Sequence, residues 1–73
     1  MDRKTSDLAI TAILTEIYSR LNDATRIAAA ALACAQAGSV SEGVQVSMDI
    51  EQIIYETSRL QDAASLLNRL ASK

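Results

Sequence analysis

Proline, histidine, phenylalanine and tryptophan are missing from this 73-residue chain, glycine occurs twice and cysteine once. The lack of proline, with so few glycines and only Tyr18 and Tyr55 as aromatics, disfavours a fold of long sheets and reads as helix. The lack of histidine leaves Cys34 without a base to activate it. With no second cysteine there is also no disulfide and no thiolate metal set, so Cys34 reads as a small buried hydrophobe. Glycine-rich phosphate loops, nucleophile elbows and paired catalytic carboxylates are absent from the sequence, and the expectation is a protein that is not an enzyme and holds no cofactor or metal. Seven basic residues are scattered against nine acidic ones, which makes nucleic acid an unfavoured partner. No apolar run approaches the roughly 20 residues of a membrane span, and Met1-Asp2-Arg3-Lys4 opens no signal peptide. A soluble, cytoplasmic protein without a membrane partner is expected.

What the chain does contain is alanine. The stretch from Ala24 to Ala37 includes the run Ala28-Ala29-Ala30-Ala31, then Ala33 and Ala35. Alanine is the best helix former because ordering it costs no side-chain entropy, and its small side chain lets another helix come close. Upstream, Thr5 or Ser6 can cap a helix and Asp7 suits its first turn. From there Ile10, Leu14, Ile17, Leu21, Ala24, Ala28, Ala31 and Ala35 alternate at four and three residues, the seam of a supercoiled helix. Gly38 is placed to end that helix in a left-handed conformation, and Ser39-Val40-Ser41-Glu42 has the form of a capping box. Gly43 weakens the turn that follows, so the boundaries predicted are helix 6–37, turn 38–43 and helix 44–71 in a single domain.

The second segment repeats the alternation with Val46, Ile50, Ile53, Thr57, Leu60, Ala64, Leu67 and Ala71. A short turn makes the two helices antiparallel. With its centre between Val40 and Ser41, the seams pair as Ala35 with Val46, Ala31 with Ile50, Ala28 with Ile53 and Ala24 with Thr57. Leu21 then meets Leu60, Ile17 meets Ala64, Leu14 meets Leu67 and Ile10 meets Ala71. Most of these layers set a large aliphatic against alanine, as close packing requires. Thr57 is the exception, and its hydroxyl is expected to bond back to the carbonyl four residues earlier.

More apolar residues flank the seams: Ile13, Tyr18, Ile27, Leu32 and Cys34 on the first helix; Ile54, Ala63, Leu66 and Leu70 on the second. Stripes this wide suit helices with two neighbours each. The expected fold is therefore all-α, an antiparallel two-helix hairpin dimerising into a four-helix bundle. In length and layer pattern it is similar to the Rop type of dimeric bundle, a small RNA-binding regulator, and that resemblance implies RNA binding by a bundle face as an alternative function. The residues themselves favour a non-catalytic interaction module, a small regulatory or scaffolding homodimer with an unidentified protein partner. Tyr18 and Tyr55 are either rim packing or anchors for that partner. Glu42, Asp49, Glu51 and Glu56, with no base between 42 and 56, are either a solvated face or an acidic docking surface.

Overall fold

The computed structural model describes residues 2–72, which form two α-helices, α1 over Arg3–Gln36 and α2 over Val40–Ala71. They pack along their whole length as an antiparallel hairpin of 54 × 14 × 11 Å.

Both helix boundaries at the turn differ from those expected. Ala37 is the C-cap of α1, Gly38 takes φ +96°, and the Gly38 and Ser39 amides donate to the carbonyls of Ala35 and Cys34 at 3.0 and 2.9 Å. This is the Schellman arrangement, which satisfies two carbonyls that a helix end leaves free. Ser39 is at once the N-cap of α2, and its carbonyl accepts from the Gly43 amide at 3.0 Å, although its hydroxyl makes no capping bond. The turn thus takes three residues rather than the expected 38–43, and α2 starts at Val40 rather than 44.

Helix α2 runs through Gly43 because the glycine is a contact, not a weakness. It is buried, and a β-carbon there would lie 2.6 Å from the Ala31 carbonyl oxygen and 3.5 Å from the Ala35 β-carbon. The helices touch backbone to backbone at this point, which outweighs the roughly 1 kcal/mol that glycine costs a helix.

The turn centred on Gly38 also corrects the pairing. Arg20 bonds Glu56, each 18 residues from Gly38, and Gly43 lies against Ala31 and Ala35. Ala31 therefore does not face Ile50, and the pairs built on a centre between Val40 and Ser41 are all displaced by five residues, roughly 7.5 Å along the axis.

On α2 the seam residues Val46, Ile50, Ile53, Thr57, Leu60, Ala64, Leu67 and Ala71 are all buried or half-buried, as is Gly43. On α1 the phase of the seam is different. Its non-exposed residues are Ser6, Ala9, Ile10, Ile13, Ile17, Arg20, Ala24, Ile27, Ala31, Cys34 and Ala35, whereas Leu14, Leu21 and Ala28 are exposed in the hairpin. Ile13, Ile27 and Cys34, read as flanking, thus belong to the contact with α2. The Thr57 hydroxyl is enclosed without the expected bond to a carbonyl, unlike Thr15 and Thr25, which bond back to Thr11 and Leu21 at 2.9 and 3.0 Å.

The start of α1 lies three residues before the expected one. Asp2 is the cap: its carboxylate accepts from the Thr5 amide and the Thr5 hydroxyl, both at 3.0 Å. Ser6 is consequently inside the helix and fully buried. The amide bond from Thr5 above all, then the hydroxyl bond, holds the Asp2 carboxyl below the ordinary carboxylate range.

Two outcomes follow. Gly43→Ala should lower stability by about 1–3 kcal/mol in denaturant unfolding, although alanine is the better helix former, because a methyl group is forced into the Ala31 carbonyl; unchanged or raised stability would place Gly43 elsewhere. For Asp2 the ionised form is favoured by folding. Its capping contribution is present above the unfolded-state pKa and is lost as pH falls through the lowered folded value, so protection of the Thr5 amide against hydrogen exchange should drop in acid before that of amides in mid-helix.

Candidate interaction surface

The hairpin has two unlike faces. On α1, Leu14, Leu21, Ala28 and Ala35 recur every seven residues and so lie in one column; on α2, Val40, Ser47, Ile54 and Gln61 do the same. The two columns border one side of the interhelical seam, where Ile17 and Leu21 of α1 and Ile54, Thr57 and Gln61 of α2, with Ser58 and Asp62 at the α2 edge, line a shallow groove. Leu14, Leu21 and Ile54 are 53%, 43% and 49% exposed, and Tyr18, Leu32 and Val44 at the outer edge of the same face are exposed too. The positions named carry no charge, whereas Asp7 continues the α1 column toward the open end and Asp62 lies at the edge of the groove.

The opposite face carries five of the nine acids. Glu16 and Asp23 on α1, and Glu42, Asp49 and Glu56 on α2, each recur at seven-residue spacing on that side. Arg20 leans into it from the seam, with Nε 3.0 Å from Glu16 and Nη1 bonded to Glu56, whose other oxygen accepts from Gln52 at 3.1 Å. Glu56 therefore has a base, supplied by the other helix, and is not part of an unbalanced acidic run. Arg26 pairs with Asp23 at 2.5 Å. Glu51 falls outside this set, on the apolar side of α2.

The two tyrosines do not combine into a single site. Tyr18 edges the apolar face at 69% exposure, while Tyr55 points directly away from α1, half-exposed, with the Arg59 guanidinium 5.6 Å from its ring centroid. That cation–π contact accounts for Tyr55 locally. Among the described residues no group of three or more cysteine or acidic side chains is placed to hold a metal ion, and no helix is long and apolar enough to cross a membrane.

The pairing of Arg20 with Glu16 follows from their four-residue spacing, whereas its bond to Glu56 was not legible, because a base at a seam position looks like a solvated residue until the partner helix is in register. The apolar stripe was legible by sequence, but Leu14, Leu21 and Ala28 lie outside the hairpin contact in which the expected pairing had placed them. Neither a protein-family model, a curated protein nor a solved structure matches this chain.

The clasp made by Arg20 and Glu56 is partly exposed, so solvent screens it. Glu56→Gln should cost less than about 1 kcal/mol, and the cost should shrink further in high salt. A larger, salt-independent loss in chemical denaturation would mean that the pair is enclosed.

Proposed function

We propose that the chain is a non-catalytic interaction module that works as a homodimer, pairing through the face of Leu14, Leu21 and Ile54 into a four-helix bundle. The observation that carries this reading is how little the hairpin buries. Ala24 and Ala64 are its only buried apolar residues among those described, and neither is large. The accessible surface is 5284 Å². A compact monomer of 7.8 kDa would expose about 4,400 Å². The excess, about 900 Å², is close to the roughly 800 Å² that each partner contributes to a standard protein interface.

Dimerisation through the apolar face leaves the side with Glu42, Asp49 and Glu56 in water. A regulatory or scaffolding role then falls to that face and to Tyr55 at its edge, which are available to a protein partner. RNA binding is not favoured, since the bases nearest the accessible charged face, Arg20 and Arg26, are already paired with acids.

Association linked to folding makes the unfolding midpoint rise with protein concentration. Leu21→Glu, which places a charge in the middle of the apolar face, should give a monomeric mass in sedimentation and a large loss of helicity at micromolar concentration. Ala29→Glu on the outward side of α1 should leave both unchanged. A fully helical wild-type monomer at that concentration would overturn the reading.

A further inference from the structure

We infer that the second copy lies antiparallel across the apolar face, with its turn at the opposite end, so that the large residues of each copy seat on the small residues of the other. This rests on the dimer proposed above and adds its geometry.

The column on α1 reads Leu14, Leu21, Ala28, Ala35. It is two large residues followed by two small ones. Laid against a reversed copy of itself, every level joins large to small: Leu14 on Ala35 of the second copy, Leu21 on Ala28, and the two reciprocal pairs. The column on α2 reads Val40, Ser47, Ile54, Gln61, and reversal seats Ile54 on Ser47 and Gln61 on Val40. At the outer edge of α1, Tyr18 then falls beside Leu32, and Thr25 lies next to its own counterpart. A two-fold axis parallel to the helices would instead set Leu21 on Ile54 of the second copy at one level and Ala28 on Ser47 at another. Close packing excludes that alternation of crowded and empty layers.

The four positions named on each column imply nearly the same axis. On α1 the centre of reversal lies midway between Leu21 and Ala28, at 24–25; on α2 it lies midway between Ser47 and Ile54, at 50–51. The hairpin's own register, in which Arg20 and Glu56 are equidistant from Gly38, puts positions 24–25 level with 51–52. The two estimates thus differ by about one residue, roughly 1.5 Å along the axis.

The polar groups near this centre are ready for burial. The Thr25 hydroxyl donates to the Leu21 carbonyl at 3.0 Å and the Ser47 hydroxyl to the Val44 carbonyl at 2.6 Å. Covering them with a second copy leaves no new donor without an acceptor.

The test uses the native sequence. Chains labelled differently in their methyl groups are mixed in denaturant and refolded together, and contacts between copies are read by isotope-filtered nuclear Overhauser spectroscopy. Leu21 to Ala28 and Leu14 to Ala35 are the contacts expected. Leu21 to Ile54 between copies, with Leu21 to Ala28 absent, would overturn the antiparallel arrangement while leaving the dimer intact. A monomeric mass would overturn the dimer itself, so the two failures are distinguishable. A second measurement places a spin label at Gln36→Cys in a Cys34→Ala background: the antiparallel dimer separates the labels by about 35 Å along the axis, and turns at the same end bring them within about 20 Å.

Discussion

Everything in this molecule follows from the approach of two backbones at Gly43. A residue with any side chain at that position would hold α2 away from Ala31 and Ala35. With none, the helices meet just beyond the turn, and that meeting fixes which residue of α1 lies level with which residue of α2. The register then decides that Arg20 reaches Glu56, that Ile13 and Ile27 face inward, and that Leu14 and Leu21 do not.

The fold was legible in the sequence at the level of its elements, because three-and-four spacing, an alanine run and a Gly-Ser break specify an antiparallel hairpin almost without context. Register was not legible. Gly43 carries two opposite meanings, a poor helix residue and a point of close contact, and only the partner helix chooses between them. Reading it as the first put the turn centre near residue 40 instead of at Gly38. The same error of phase moved Leu14, Leu21 and Ala28 into the hairpin seam. Those three positions are exposed beside the seam instead, so the apolar stripe was recognised while its phase against α2 was not. Glu56 shows the complementary limit: a charge partner 36 residues away leaves no trace in local sequence.

The division of the hairpin into an apolar and an acidic side places chemistry where composition alone shows none. Overall charge is near neutral and the hydrophobic residues are numerous but small. Folding sorts them. The acids at 42, 49 and 56 are brought to one side by seven-residue spacing, and Leu14, Leu21 and Ile54 are brought to the other by the same periodicity, with Asp62 at its edge. A surface can thus be specific without any reactive group, through shape on one side and charge on the other.

The distribution of side-chain size along the hairpin also bears on how it forms. The layers next to the turn, where chain ends are brought together across about a dozen residues between Ala31 and Gly43, hold glycine, alanine and a cysteine. The larger aliphatics Ile10, Ile13, Ile17, Leu60 and Leu67 lie toward the open end. Closing the 36-residue span from Arg20 to Glu56 costs about 1 kcal/mol more in chain entropy than closing the first contact. A zipper started at Gly38 therefore gains little apolar burial at its early steps and most at its last ones, so the contacts that hold the hairpin closed are those farthest from the turn in sequence.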